Sequence, residues 1–362
     1  MSDPNPLPLP RTSEQILVCT QGRIHFGLLE ISESQPNCYG GIGLMIEHSF
    51  ATMQAILGPS SFEQCGIQAD DHWRPRIEAV ANQWLKTNPH LPVQSIIVTE
   101  SPLPHQGLGS GTQMACTVAA LLTAAERFHL SGVSVSDIPM SALFTCDDQI
   151  FPGARQPYSM EALARLSQRG KRSNIGLRGF IEGGFVLDHG KSILNNSTPP
   201  SGTRTQRVAF PDWPILIIQD TMSLGDSGKG EAAMFERSSR CPNPNRETML
   251  QLVQEKILPA IAARDWKQFD VALGQYGRWA GQIFESVQGG IYRSPQIAET
   301  IDIAKQLGIV GATQSSWGPT VCAIAQDDAH ASWCRDRLQR LLPGTIVVST
   351  KAANHSAQVR WT

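Results

Sequence analysis

The first predicted strand spans residues 15–28, and apolar and polar residues alternate over its second half, from Arg23 to Leu28. Apolar side chains at every second position predict a β-strand with one face in a core. On the opposite face the strand carries Arg23 and His25, so we expect both side chains to reach a cavity. A strand with a solvated Arg and His gives the same pattern, and spacing alone does not separate the two interpretations.

Apolar residues recur with helical spacing in several other segments. The predicted helices span residues 71–87, 110–129, 159–168, 246–263, 266–287, 295–307 and 330–341. Strand-like runs lie at 95–98, 180–187, 214–219, 321–325 and 344–349, and residues 44–57 fit two strands joined by a turn near 47–49. The last strand, helix and strand form a β-α-β unit, which predicts a split βαβ sandwich for the second half.

The length of the chain predicts two domains. One hydrophobic core rarely organises 362 residues, and 41% apolar residues are enough to fill two cores. Residues 195–205 are rich in Ser, Thr, Pro and Gly and are the best linker candidate, and residues 1–13 form a Pro-rich start that we expect to be disordered. The predicted domains are therefore 14–194 and 206–362.

Charge and cysteine content narrow the class of partner. A formal charge of −2 favours neither nucleic acid nor an anionic membrane as the main partner. The eight cysteines contain no C-x-x-C pair, which is typical of buried thiols in a reducing compartment. No apolar run reaches the roughly 18 residues of a membrane span, and no secretory leader is apparent. We expect a cytoplasmic protein whose partners are small molecules.

A glycine-rich loop between a predicted strand and a long helix carries the strongest chemical signal. Glycine lets backbone N–H groups approach a phosphate, and the start of a helix adds partial positive charge. The loop is therefore predicted to bind phosphate or pyrophosphate through Gly107, Leu108, Gly109, Ser110, Gly111, Thr112 and Gln113. Prolines stand just upstream, at Pro102 and Pro104.

Three further segments are candidates for the same site. They are a basic turn at 169–176, a polar glycine-rich loop at 223–231, and a small-residue segment at 311–320. Each also fits an ordinary connection between elements. Asp147 and Asp148 suggest a metal site, although an exposed loop is the commoner explanation of such a pair. The chain has no H-E-x-x-H, G-x-S-x-G or Walker motif, and no Rossmann fingerprint follows the first strand.

The glycine loop resembles the phosphate loop of the GHMP kinase superfamily. Within that superfamily the chain closely resembles the β-ribofuranosylaminobenzene 5′-phosphate synthase family from about residue 16 to the C-terminus. The likeness is carried by GLGSGTQ at 107–113 and QSSWGPT at 314–320, with GRIHFGLLE at 22–30 and the SNIG, EGGF and GDSG segments between them. It departs from the kinases at Gly111, Thr112 and Gln113, where they usually have a Ser-Ala-Ala-like sequence, and in the spacing of the upstream prolines.

The resemblance implies an α+β fold with two domains, the first like ribosomal protein S5 and the second a ferredoxin-like split βαβ sandwich. It implies a transferase of tetrahydromethanopterin biosynthesis that couples phosphoribosyl pyrophosphate to 4-aminobenzoate or 4-hydroxybenzoate. CO2 and pyrophosphate are released and a C-riboside is formed. Mg²⁺ is the implied cofactor, and a homodimer is expected by family analogy.

This chemistry suggests roles for individual residues. Cationic candidates for the phosphates or the carboxylate are Arg23, Arg172 and Lys229. Hydroxyl candidates for Mg²⁺ are Ser110 and Thr112. Groups that could polarise the para substituent or stabilise the cationic sugar are His25, Asp226 and Glu231. Residues expected to line the substrate cleft are Ser173, Ser227, Gln314, Ser315, Ser316 and Trp317.

Two alternatives stay open on sequence grounds. A small-molecule kinase of the same superfamily would use the loop for ATP and transfer a phosphoryl group. A ligand sensor without catalytic activity would bind without turnover. For residues 314–317 the structural alternative is a tight strand entry with a core tryptophan.

Overall fold

Two large sheets organise the part of the chain that the structure, a computed structural model, describes. The described residues are 14–32, 37–58, 65–88, 91, 93–131, 137–146, 156–192, 205–220, 243, 245–316 and 318–361. The predicted disordered start at 1–13 and the aspartate pair at 147–148 lie outside them, as does most of the predicted linker.

The larger sheet has eight strands among the described residues and is mostly antiparallel. Its strands are β1 (Gln15–Leu28), β3 (Gly41–Leu57), β4 (Gly66–Gln68), β5 (Val93–Glu100), β6 (Asp137–Ile138), β9 (Phe185–Asp188), β11 (Thr205–Val208) and β16 (Gln358–Trp361). Two short pairs lie apart from it: β2 (Asn37–Cys38) with β10 (Lys191–Ser192), and β7 (Phe144–Thr145) with β8 (Tyr158–Ser159).

The prediction of two strands within 44–57 is wrong, because β3 is one strand that pairs with β1 along its length. The register shifts on either side of Gln21, where Ser49 pairs with Gln21 and Ile46 pairs with Gly22. Extra residues of β3 are thus taken up in β-bulges, which bend a strand without ending it. The polar residues near 47–49 mark this irregularity.

Helices cover the larger sheet and bury its apolar face. They are α1 (Arg74–Thr87), α2 (Ser110–Ser131), α3 (Met160–Ser167) and α4 (Ile175–Glu182). The apolar stripe of α1 is buried, including Trp84 and, just before the helix, Trp73. The predicted strand at 180–187 is partly wrong, because its first residues complete α4 and only Phe185–Asp188 forms a strand.

The second sheet has four strands among the described residues, and helices pack on it. The strands are β12 (Ile215–Asp220), β13 (Thr313–Gln314), β14 (Thr320–Ile324) and β15 (Thr345–Thr350), in the order β13-β14-β12-β15. The helices of this half are α5 (Arg246–Leu252), α6 (Leu258–Ala263), α7 (Trp266–Gln282), α8 (Glu285–Gln288), α9 (Pro295–Gln306) and α10 (Asp328–Leu341), with a π-helical turn at Val253–Ile257. The mixed helix and sheet content confirms the α+β fold.

The chain crosses between the two sheets more than once. The C-terminal strand β16 pairs with β1, and β11 pairs with β9 beyond the predicted linker. The division into domains 14–194 and 206–362 stays a prediction. No helix within the described ranges is long and apolar enough to cross a bilayer.

Candidate functional site

The glycine loop connects β5 to α2 and lies against β1. The backbone N–H of Arg23 donates to Leu108 O at 2.9 Å, which ties the loop to the strand. The N–H groups of Thr112 and Gln113 both turn back to Gly109 O. Gly107 and Gly109 have φ values of 79° and 76°, a region that favours glycine. The start of α2 is therefore held in a fixed position, with the first N–H groups of the helix beyond the reach of intrahelical carbonyls.

The segment before β14 packs directly on the glycine loop. Ser315 Oγ donates to Gly107 O at 2.7 Å, and Thr320 Oγ1 donates to Gln106 O. A Cβ on Gly107 would lie 2.7 Å from Ser315 O and 3.0 Å from Gly318 Cα. The two backbones approach this closely only because both positions are glycine. The strings at 107–113 and 314–320 thus form one structural unit.

His25 joins β1 to that unit and is neutral. Its backbone N–H donates to Ser315 Oγ at 3.1 Å, and its carbonyl accepts from the Ser316 N–H at 2.8 Å. Its Nδ1 accepts from the Gly27 N–H at 3.1 Å, so the ring proton resides on Nε2. Burial and the charge of Arg23 lower the pKa of His25 to about 3. His25 can therefore donate a hydrogen bond but does not supply positive charge near neutral pH.

A cavity of about 340 Å³ opens beside these elements. One wall is basic and carries Arg23, Arg169, Lys171 and Arg172. The other wall is largely apolar and is formed by Gly277, Ala280, Gly281, Phe284, Ile291 and Tyr292. Burial raises the pKa of the Tyr292 phenol, which stays protonated. A ligand that fits this cavity has an anionic end and an apolar or aromatic end.

A second cavity of about 180 Å³ lies over the start of α2. It adjoins the larger cavity, since both are lined by Arg23, Thr112, Arg169 and Ser316. Its remaining lining comes from Arg76, His105, Gly107, Gly109, Ser110, Gly111 and Gly318. Three guanidinium groups therefore surround a small space at the N-terminal end of a helix, which is an arrangement that attracts anions.

The arginines pack on glycines that have no room for a side chain. A Cβ on Gly109 would lie 2.9 Å from Arg23 Nε, and one on Gly111 would lie 2.4 Å from Arg76 Nη1. Gly176 contacts the other side of Arg23, where a Cβ would lie 2.9 Å from Nη1. These glycines fix where the guanidinium groups lie.

The basic turn at 169–174 is anchored by two charged side chains. The carboxylate of Asp188 accepts from the N–H groups of Asn174 at 2.7 Å and Gly190 at 3.0 Å. Burial raises the pKa of Asp188, against the opposing effect of these hydrogen bonds. Lys191 Nζ donates to Gly170 O and to Lys171 O. The turn that presents Lys171 and Arg172 to the cavity is thus held at both ends.

The described lining of both cavities contains no Asp or Glu. Within the described ranges there is also no cluster of three His, Cys, Asp or Glu side chains that could hold a metal ion. The hydroxyls of Ser110 and Thr112 remain as ligands of the type that Mg²⁺ accepts. Two hydroxyls fit a cation that arrives on phosphate oxygens better than one held by the protein alone.

Comparison with known proteins identifies the fold. The family described as GHMP kinases C terminal matches residues 257–344. Mevalonate kinase from Methanococcus jannaschii superposes with a TM-score of 0.59 at 12% identity, over 95% of this chain and 100% of that one. The chain has a GHMP-kinase-like fold. At 12% sequence identity, the similarity to this solved structure shows a shared fold and nothing more.

Curated relatives match most of the chain in sequence. A protein of Methanothermobacter thermautotrophicus is 24% identical over 359 residues, which cover 92% of this chain and 96% of the relative. A protein of Archaeoglobus fulgidus is 26% identical over 318 residues, which cover 86% and 88%. Both are named beta-ribofuranosylphenol 5′-phosphate synthase. The resemblance inferred from the glycine-rich strings is confirmed.

On the GHMP-kinase-like fold, most of the described candidate residues come together. Those that line one or both cavities are Arg23, His25, Gly107, Gly109, Ser110, Gly111, Thr112, Arg172, Ser173, Gln314 and Ser316. The other described candidates support the site: Ser315 bonds the two loops, Leu108 packs in the core, and Gln113 is fully buried against Thr20. Five candidates lie outside the described residues: Asp226, Ser227, Lys229, Glu231 and Trp317.

Several lining residues were not predicted from the sequence as site residues. The most important are Arg76, Arg169, Lys171, Phe284 and Tyr292. Arg169 and Lys171 stand in the basic turn at 169–176, which was a candidate segment, although Arg172 was the only one of its cations named as a site residue. Arg76 lies on α1, about 30 residues before the glycine loop, and has the spacing of an ordinary solvated helix residue.

Proposed function

We propose that this protein couples phosphoribosyl pyrophosphate to 4-hydroxybenzoate, releases CO2 and pyrophosphate, and forms a β-ribofuranosylphenol 5′-phosphate. This is the transferase reaction expected in tetrahydromethanopterin biosynthesis. The full-length similarity to relatives named beta-ribofuranosylphenol 5′-phosphate synthase supports it. The relatives' name also favours 4-hydroxybenzoate over 4-aminobenzoate as the substrate, because loss of the carboxylate from 4-hydroxybenzoate leaves a phenol.

The observation that carries the proposal is the two-sided character of the larger cavity. Its basic wall and the glycine loop suit a sugar with two phosphorylated ends. Its apolar wall, with Phe284, Ile291 and Tyr292, suits an aromatic ring. A cavity of about 340 Å³ lies near the lower end of the roughly 300–1,000 Å³ range of small-molecule sites.

The proposed reaction needs no net proton transfer. The bond from ribose C1 to the pyrophosphate oxygen breaks, and its electron pair leaves with pyrophosphate. The ring carbon that bears the carboxylate forms a bond to C1, helped by electron donation from the para hydroxyl. The bond between that carbon and the carboxylate then breaks, and its electron pair restores the aromatic ring as CO2 departs.

The residues act mainly on the charge of the leaving group. Backbone N–H groups at the start of α2 and the guanidinium of Arg23 would stabilise the developing pyrophosphate charge. Ser110 and Thr112 would hold Mg²⁺ that is bound to the phosphate oxygens, where the ion neutralises charge. His25, as a neutral donor, would bind an oxygen of the substrate. A homodimer stays a family-based prediction.

The test is release of labelled CO2 from carboxyl-labelled 4-hydroxybenzoate with phosphoribosyl pyrophosphate and Mg²⁺. We expect CO2 and pyrophosphate to be released in equal amounts. The same assay with 4-aminobenzoate in place of 4-hydroxybenzoate tests the other candidate substrate. ADP formation from ATP and candidate alcohols without CO2 release would establish a kinase instead. Binding of both substrates with neither product would establish a sensor.

A further inference from the structure

The two cavities differ in chemistry and meet along one shared wall. The smaller one is lined by three arginines, glycine backbone and polar side chains. The larger one adds the apolar surface of Phe284, Ile291 and Tyr292. The shared wall consists of Arg23, Thr112, Arg169 and Ser316. A ligand that spans the wall therefore places chemically different ends in the two cavities.

The stereochemistry of the proposed reaction needs such a division. Phosphoribosyl pyrophosphate carries its leaving group on the α face of C1, and the proposed product is a β-riboside. Displacement with inversion requires the aromatic carbon to approach C1 from the side opposite to the departing oxygen. The pyrophosphate and the aromatic acid must therefore occupy spaces on opposite sides of the ribose.

We propose that Arg76 and Arg169 bind the pyrophosphate leaving group in the smaller cavity, beside the start of α2. This inference rests on the proposed function for the identity of the anion. The ribose then lies at the shared wall, and the aromatic acid lies in the larger cavity. At about 180 Å³ the smaller cavity is below the usual range for drug-sized ligands, roughly 300 Å³ and above, and suits a small polyanion.

The position of Arg76 is fixed before any ligand binds. Its guanidinium carbon lies 5.6 Å from the centroid of the Trp73 ring, within the range of a cation–π contact. Trp73 is only 2% exposed, and its Nε1 donates to Pro102 O at 3.1 Å. The missing side chain of Gly111 gives the guanidinium its place over the start of α2. A side chain that is already ordered loses less entropy when it binds an anion.

Substitutions of single arginines give the first test, with binding of inorganic pyrophosphate measured by calorimetry. We expect R76Q and R169Q each to weaken pyrophosphate binding about tenfold or more, since each loses a charge-assisted hydrogen bond. R76K, which keeps a charge without the planar fork, should lose less than R76Q. Affinity for 4-hydroxybenzoate should change little in R76Q.

R165Q is the matched control for removal of one positive charge. Arg165 is exposed in the last turn of α3 and lines neither cavity, although it is only four residues from Arg169. Its substitution should leave pyrophosphate affinity within about twofold of the unaltered protein, since an exposed charge at a distance is screened by salt. A loss in R165Q equal to that in R76Q would overturn the inference.

G111A tests the geometry without removing any charge. A methyl group at this position would lie 2.4 Å from Arg76 Nη1 and would push the guanidinium away. The new alanine lies in the first turn of α2, where it favours the helix, so thermal unfolding should occur at an equal or higher temperature. Weaker pyrophosphate binding in a protein of undiminished stability would support the subsite.

Three outcomes are distinguishable. Unchanged pyrophosphate affinity in R76Q, R169Q and G111A would place the leaving group elsewhere and overturn the inference. Loss of affinity in these variants alone, with CO2 release in the unaltered protein, supports both the subsite and the function. The same loss without CO2 release from either benzoate leaves the anion subsite standing and refutes the proposed reaction.

Discussion

Because His25 is neutral in the folded protein, the free energy of unfolding should depend on pH in a way that reports the state of this site residue. Burial and the charge of Arg23 lower the pKa of His25 from 6.5 to about 3. An unfolded chain binds a proton at this ring below about pH 6.5, whereas the folded chain does not. The contribution to stability is thus fully present above pH 6.5 and is lost as the pH falls towards 3. Between about pH 7.5 and pH 5 the loss amounts to roughly 2 kcal/mol.

The H25N variant isolates this contribution. The side-chain oxygen of asparagine can accept the Gly27 N–H in place of Nδ1, and asparagine does not titrate. Urea unfolding of both proteins across this pH range should show that the unaltered protein loses about 2 kcal/mol more than H25N. Parallel stability curves would refute the neutral, buried state of His25. So would a kinetic ionisation near pH 6.5 that disappears in H25N, because it would make the imidazole an acid or base of the reaction.

Three more predictions follow from buried groups and close packing. Burial raises the pKa of Asp270 to about 6. The free energy of unfolding should therefore fall by roughly 2–2.5 kcal/mol between pH 4 and pH 7, and urea unfolding of D270N should not show this decrease. D188N should leave one buried backbone N–H opposite an amide NH2, which cannot accept a hydrogen bond, so stability should fall by about 1–3 kcal/mol. The KM for phosphoribosyl pyrophosphate should rise, because the basic turn loses one of the hydrogen bonds that hold it. G27A should be destabilised by more than about 2 kcal/mol, because its Cβ would lie 2.3 Å from Ala280 Cβ and the backbone has a φ of 122° at this position. In thermal unfolding, G27A/A280G should recover only part of that loss, because it removes the clash and leaves the strained φ.

The parts of the fold with strong periodicity were predicted well. The stripe of α1 and the long helix α2 follow from apolar residues at helical spacing, and both are buried where expected. The alternation of β1 likewise places Arg23 and His25 on a cavity wall, as predicted. In these segments the local pattern and the tertiary environment impose the same preference.

The errors arise where tertiary contacts override the local pattern. Polar residues near 47–49 look like a turn, yet β1 continues to pair with β3 through a bulge. Residues 180–182 are apolar enough for a strand, yet they complete α4, whose first residues follow the basic turn. Arg76 could not be predicted as a site residue, because the number of residues between it and the glycine loop does not show that the two are in contact. Only the packing of α1 on α2 brings them together.

The departure of the glycine loop from the kinase pattern has a structural explanation. A Ser-Ala-Ala-like sequence would put a side chain at position 111, where an ideal Cβ lies 2.4 Å from Arg76 Nη1. The larger Gln113 side chain does not face the anion: its oxygen accepts from Thr20 Oγ1 at 2.8 Å, and its amide donates to Gly176 O at 3.3 Å. Gln113 thus bonds α2 to β1 and to the first turn of α4, at Gly176, one of the glycines against which Arg23 packs. Gly111 admits one arginine and Gln113 holds the helix that positions another, so the two departures serve the same cationic cavity. A nucleotide phosphate loop needs neither residue, because it works through its backbone and a bound cation. The combination GSGTQ at residues 109–113 therefore indicates a phosphate loop supported by guanidinium groups. Such a loop suits a pyrophosphate leaving group, which carries most of the negative charge of the substrate.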